Sequence, residues 1–225
     1  MMSSENFLNS STLSAQLELA SAPANLPGFL HTICANTAQL SRFLNMLSML
    51  EHIGSRKIML SQMNGALDQE TLKHLAEETR HAFFFKRNAE RFRGRELNYS
   101  ANDMMAYYAA RMYFGRLDSA AARALRPIWP PHAPYILVSL LIELRAGWLY
   151  HAFDETLVAA NIPLSLKSII AEEDMHLRDM TAAALAAIGS DTAVIAQLMQ
   201  VEQKLFEKFW TALQLEIAQP VARAA

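Results

Sequence analysis

Two stretches decide how this chain folds: Leu75-Ala76-Glu77-Glu78-Thr79-Arg80-His81 and Ile170-Ala171-Glu172-Glu173-Asp174-Met175-His176. Each contains Glu-x-x-His, pairing Glu78 with His81 and Glu173 with His176. Residues three apart on a helix share a face, so each stretch offers a carboxylate and an imidazole to the same point. A lone glutamate precedes each pair at nearly equal separation, Glu51 before the first and Glu143 before the second. A single Glu-x-x-His in a chain of 225 residues carries little weight, whereas the doubled unit is a much stronger signal.

All four glutamates fall on apolar helical stripes. Glu51 shares its face with Leu44, Leu47 and Ile58, and Glu78 with Leu75, Ala82 and Phe85. Glu143 shares its face with Ile136, Leu140 and Tyr150, and Glu173 with Leu166, Ile169, Ile170 and Met180. Carboxylates facing a core are costly unless paired or metal-bound. Four of them balance two divalent cations, and oxygen plus imidazole donors suit iron or manganese. The competing reading is a helical protein whose glutamates pair with arginines.

Composition narrows the class. Hydrophobic content of 52% over this length supports one domain with a sizeable core. Abundant Ala, Leu and Met with only 7 glycines favour helix. A net charge of −2 gives no electrostatic footprint for nucleic acid. The single cysteine, Cys34, excludes an internal disulfide framework and a cysteine-based metal knot, and reads as a small buried hydrophobe. Residues 1–25 carry no basic region, and the apolar run Tyr135 to Ile142 is far too short to span a bilayer. The expectation is a cytoplasmic protein that engages no membrane.

Residues 1–28 read as an N-terminal extension, with a short helix over Thr12 to Ala20, and residues 29–219 as the helical domain. The periodicity predicts a first long helix from about Phe29 to Met63, stopped by Asn64-Gly65. Asp68 caps a second, which runs to about Gly94. Ser100-x-x-Asp103 resembles a capping box opening a helix through Phe114, followed by a short helix from Ser119 to Leu125. This intervening stretch reads as a long crossover that lets the second and third main helices run the same way. The third helix covers Pro134 to Ala160, and the fourth begins near Pro163 and ends at Gly189. A fifth opens at Asp191; its stripe of Leu205, Phe206, Phe209, Trp210 and Leu213, with no ligand-type residue inside, is expected outside the bundle or at a subunit interface.

The doubled pattern resembles the ferritin-like superfamily of di-iron carboxylate proteins over roughly Phe29 to Gly189. The two quoted stretches look like those of rubrerythrins, aldehyde-deformylating oxygenases and bacterial di-iron monooxygenases. The resemblance implies an all-α, ferritin-like four-helix bundle with a long helical crossover and an extra C-terminal helix. It implies two iron ions, or a manganese–iron pair, held by Glu51, Glu78, His81, Glu143, Glu173 and His176. It also implies that Glu172 accepts a hydrogen bond from His81 and Glu77 one from His176, fixing each imidazole tautomer. The implied activity is dioxygen-dependent oxidation of a small, rather apolar molecule, with an external electron donor because the chain cannot build a Cys-rich redox site. No tyrosine lies between His81 and Arg95, which weakens a likeness to ribonucleotide reductase small subunits. A ferroxidase or peroxide-scavenging protein and a metal-free helical interaction protein stay open, as does assembly into a homo-oligomer.

Small residues follow each lone glutamate by one turn: Gly54 and Ser55 after Glu51, Ala146 and Gly147 after Glu143. They are expected to leave room for dioxygen and substrate beside the metals, or to serve close helix packing. His74, one turn before Glu78, and His151, two turns after Glu143, read as core histidines first and extra ligands second.

Overall fold

The computed structural model describes residues 22–61, 68–124, 130, 132–188 and 193–218. The expected helix over Thr12 to Ala20, the stops at Asn64-Gly65 and Gly189, and the Asp191 start lie outside them. Among the described residues there are seven helices and no strand: α1 Leu26–Cys34, α2 Thr37–Ser61, α3 Gln69–Arg93, α4 Tyr107–Ala124, α5 Ala133–Ala159, α6 Lys167–Ile188 and α7 Ala193–Ala218.

Local chemistry sets the ends. The first expected long helix is two helices, because the Asn36 side chain accepts from the backbone N–H groups of Ala38 (3.0 Å) and Gln39 (3.1 Å) and starts α2 afresh. Leu26 is buried in the core, so the bundle begins before the expected boundary at residue 29. Asp68 caps α3 through the N–H of Thr71, and Gly94 closes it at φ 73°, a left-handed conformation that suits glycine. The capping box at Ser100 does not form. Asp103 instead binds Arg95 (2.6 Å) and the N–H of Asn98 (2.9 Å), and the helix starts only at Tyr107. It then runs unbroken through Gly115 and Ser119, whose hydroxyl bonds back to the Gly115 carbonyl (2.8 Å) instead of capping a new helix. α6 begins at Lys167, later than Pro163, where Asp154 of α5 accepts the N–H of Leu166 (2.7 Å).

Cross-helix pairs give the directions. Ser41 and Ser48 of α2 bond the carbonyls of Ala89 and Ala82 of α3, in descending order, so these helices are antiparallel. His151 and Asp154 of α5 meet Asp174 and Leu166, so α5 and α6 are antiparallel too. Phe43 packs on Phe153 and Glu51 meets Tyr150, which sets α2 against α5. Therefore α3 and α5 run in the same direction, and the stretch containing α4 is the crossover that makes this possible.

α7 departs from its expected place. It packs against α4 and α1 and turns Phe206, Phe209, Trp210 and Leu213 into the core. It also carries Glu202, one turn from that stripe and 2% exposed, bonded to Arg145 of α5 (2.5 and 2.8 Å) and to the Tyr113 hydroxyl of α4. α5 is long and apolar enough to cross a membrane by length and composition alone; half of its most apolar window is buried inside the bundle.

Replacing Asn36 with alanine removes the cap at the break between α1 and α2. It is expected to lower stability by about 1 kcal/mol in a denaturant titration, whereas one continuous helix over this stretch would gain from alanine.

Candidate metal centre

Glu51 from α2, Glu78 and His81 from α3, Glu143 from α5, and Glu173 and His176 from α6 converge in the middle of the bundle, and all six are buried. His81 Nδ1 lies 2.9 Å from Glu173 Oε1, and His176 Nδ1 lies 3.4 Å from Glu78 Oε1 and 3.8 Å from Glu173 Oε2. His74 joins them, its Nε2 3.4 Å from Glu78 Oε1 and 3.5 Å from Glu143 Oε1. The donors form two groups, Glu51, Glu78, His81 and Glu173 in one and His74, Glu78, Glu143 and His176 in the other. Within each group the ligand atoms lie within 4.8 Å of one another, and Glu78 belongs to both. Either group can hold a metal ion.

The outer nitrogens fix the tautomers. His81 Nε2 is 2.7 Å from Glu172 Oε2, and His176 Nε2 is 2.9 Å from Glu77 Oε2. A carboxylate only accepts, so each Nε2 is the N–H and each Nδ1 turns a lone pair inward. Arg80 pairs with Glu172 and Lys73 approaches Glu77 (3.9 Å), holding these carboxylates from outside. His74 Nε2, His81 Nδ1, His176 Nδ1 and Glu173 Oε1 are buried without a hydrogen-bond partner. Lone pairs facing one another at these distances repel unless something positive stands between them. The donor set therefore fits a cation, and hard oxygen plus imidazole ligation suits a first-row divalent ion.

Without metal, protons carry that role. Burial and the neighbouring carboxylates Glu78 and Glu173 push the Glu51 carboxyl well up. Burial, with Glu173 and Glu78, does the same to Glu143. Burial also raises Glu78 and Glu173, but the histidines beside them outweigh it and both end below the usual range. Burial would lower His176, yet Glu173 and Glu78 prevail and lift it to about 10 from 6.5. The Tyr150 hydroxyl donates to Glu51, and burial followed by the charge of Glu51 pushes that phenol well up.

An apolar cavity adjoins the centre. The space open to the centre of a water molecule is about 100 Å³. Glu51, His74, Glu78, Glu143 and Glu173 form part of its wall. Of the four small residues expected beside the metals, Gly54 and Ala146 line this cavity, while Ser55 and Gly147 do not. Ser55 is turned to its own helix and bonds the His52 carbonyl (3.0 Å). Gly147 has no described atom within 4 Å of where a Cβ would stand, so it neither packs closely nor shapes the cavity. Gly54 is the tight position, since a Cβ there would lie 3.0 Å from Glu78 Oε2 and the carboxylate would have to shift to admit it.

Sequence spacing placed His74 on the ligand face but ranked it as a core histidine; its orphaned nitrogen reverses that ranking. His151 is exposed and pairs with Asp174 (3.3 Å), away from the centre. Tyr150 was legible only as a member of Glu143's apolar face; its hydroxyl reaches across to α2. Glu202 and Arg145 gave no sequence signal, being separated by half a bundle. No protein-family model matches this chain, and no curated protein and no solved structure matches it.

Gly54→Ala is expected to weaken metal binding by crowding Glu78 while the helical circular dichroism stays native; Gly147→Ala is expected to leave metal binding unchanged and to gain up to about 1 kcal/mol of stability from helix propensity. A second expectation concerns pH. A histidine raised in the folded state stabilises fully below its ordinary value, and that contribution is lost as pH climbs through the raised one. The raised carboxyls Glu51 and Glu143 act in the same sense. The melting temperature of the metal-free protein should therefore fall between about pH 6.5 and about pH 10. Divalent metal should flatten that slope and release protons on binding.

Proposed function

We propose that this chain is a non-haem di-iron oxidoreductase of ferritin-like architecture that uses dioxygen to oxidise a small apolar molecule. The observation that carries this reading is the pair of donor groups sharing Glu78, because a shared carboxylate is what brings two ions within reach of one substrate. Four carboxylates and imidazole nitrogens favour iron, with manganese as the other candidate. Parallel α3 and α5 joined by a helical crossover fit the ferritin-like topology.

When bound, a pair of ferrous ions would supply two of the electrons that dioxygen takes up. The protein's share is placement and insulation. Glu51 and Glu143 each belong to one donor group only, while Glu173 faces both His81 and His176. Glu172 and Glu77 hold those imidazoles so that Nδ1 faces the carboxylates and would be the nitrogen that binds an ion. Tyr150 holds Glu51 through its hydroxyl and places a proton-bearing group beside that carboxylate. The apolar lining keeps bulk water from the centre and favours an organic substrate over iron entry, which sets the oxygenase reading above the ferroxidase and peroxide-scavenging ones. Cys34, the one cysteine, lies in α1, so electrons for a second turnover would come from a separate donor.

Metal analysis after anaerobic ferrous loading tests this directly. About two ions per chain are expected for the wild type. Glu78→Ala should lose both, because it serves both groups, and His74→Ala should weaken one and spare the other. Glu172→Ala should weaken binding by about 10- to 100-fold, as removal of a partner that orients a ligand histidine does. A folded wild-type protein that takes up no metal would overturn the reading and favour a metal-free interaction protein.

A further inference from the structure

The α2–α3 and α5–α6 pairs bring matching donors to the cluster, yet the match breaks at two positions. Four residues before the glutamate of each Glu-x-x-His stand His74 on α3 and Ile169 on α6. Positions four apart share a helix face, so both belong to the ligand side. Ile169 is wholly buried in the hydrophobic core. His74 instead puts Nε2 3.4 Å from Glu78 and 3.5 Å from Glu143, with its ring 4.1 Å from that of His176. Seven residues after each lone glutamate stand Ile58 on α2 and Tyr150 on α5. Ile58 is buried and apolar, whereas the Tyr150 hydroxyl donates to Glu51.

Both breaks make the two donor groups differ in the same sense. Glu143 faces an imidazole, and Glu51 faces a phenol. The group of His74, Glu78, Glu143 and His176 therefore holds two imidazoles and two carboxylates. The group of Glu51, Glu78, His81 and Glu173 holds one imidazole and three carboxylates. Affinity for divalent ions climbs from manganese towards the end of the first row, and imidazole suits the later ions while carboxylate suits manganese. Exchanging a carboxylate for an imidazole steepens that climb at the His74 group. The carboxylate-rich Glu51 group discriminates less.

We propose that His74 makes the two metal positions unequal in their choice of ion. When two kinds of divalent ion compete, the later first-row ion enters the His74 and His176 group first, and manganese persists in the Glu51 and Glu173 group. This inference rests on the two-ion reading above and adds to it that one side chain sets the selectivity. The His74 side chain is 12% exposed, at the margin of the cluster, so it can be exchanged with little disturbance of the core.

The test uses the full chain stripped of metal with a chelator and equilibrated without oxygen in excess manganese(II) containing a rising fraction of cobalt(II). Bound metals are counted by elemental analysis after gel filtration, and manganese electron paramagnetic resonance separates manganese pairs from manganese beside cobalt. In the wild type, cobalt is expected to replace manganese in two steps separated by about tenfold or more in the cobalt-to-manganese ratio. Between the steps each chain should hold one ion of each kind, and the signal of manganese pairs should vanish in the first step. His74→Glu gives both groups one imidazole and three carboxylates, so the steps should merge while total metal is unchanged. His74→Gln should draw the first step towards the second. A single step in the wild type, or two steps that persist in both variants, would overturn the inference and leave the two-ion reading standing. A folded wild-type protein that binds neither ion would overturn that reading and this inference with it.

Discussion

Four carboxyl groups side by side inside a helical bundle form the constraint on which the rest of the structure depends. Like charges a few ångströms apart in a poorly solvated interior repel by several kcal/mol per pair at an effective dielectric of about 20. The molecule answers with three histidines among the carboxylates and, without metal, with protons on Glu51 and Glu143. Two divalent cations would neutralise the same cluster more completely, because they would take up the inward-facing nitrogen and carboxylate lone pairs that protons otherwise share. On the proposed reading the inward-facing glutamates, costly in any ordinary core, form a cation cage.

Holding that cage takes contacts between helices that are distant in sequence. Glu77 with His176 and Glu172 with His81 tie α3 to α6 twice, with the acidic residue before Glu78 and before Glu173 gripping the histidine of the opposite helix. Gly54 allows α2 to approach Glu78. A second buried polar network, Arg145 with Glu202 and Tyr113, locks α7 onto the bundle. Such a pair contributes little net stability once desolvation is counted, but losing one partner strands the other charge. It fixes where α7 lies, and with it one wall of the cavity. The last helix is therefore part of the site's enclosure and not an outer ornament.

The helices, their inward faces and six of the converging donors were legible in the sequence, because helical period and three-residue spacing are local properties. The Glu77–His176 and Glu172–His81 contacts were reached through family resemblance, and the structure places those atoms within hydrogen-bond distance. Helix boundaries were less legible, since they depended on which of two local bonds a polar side chain makes. Asn36 caps a new helix where the apolar stripe runs on without interruption, and Asp103 spends its carboxylate on Arg95 and Asn98 instead of opening α4.

The sequence by itself determined an all-helical chain whose glutamates and histidines must face one another, because every alternative rotation would expose the apolar stripes. Only the tertiary structure decided that His74 points its free nitrogen into the cluster, that Tyr150 crosses to Glu51, that Glu202 is buried against Arg145, and that Ser55 and Gly147 stand away from the cavity. These depend on the side-chain directions and helix rotations left once all the stripes are packed together. The period of a single helix fixes which face is buried, but not which atoms on the facing helix that face will meet.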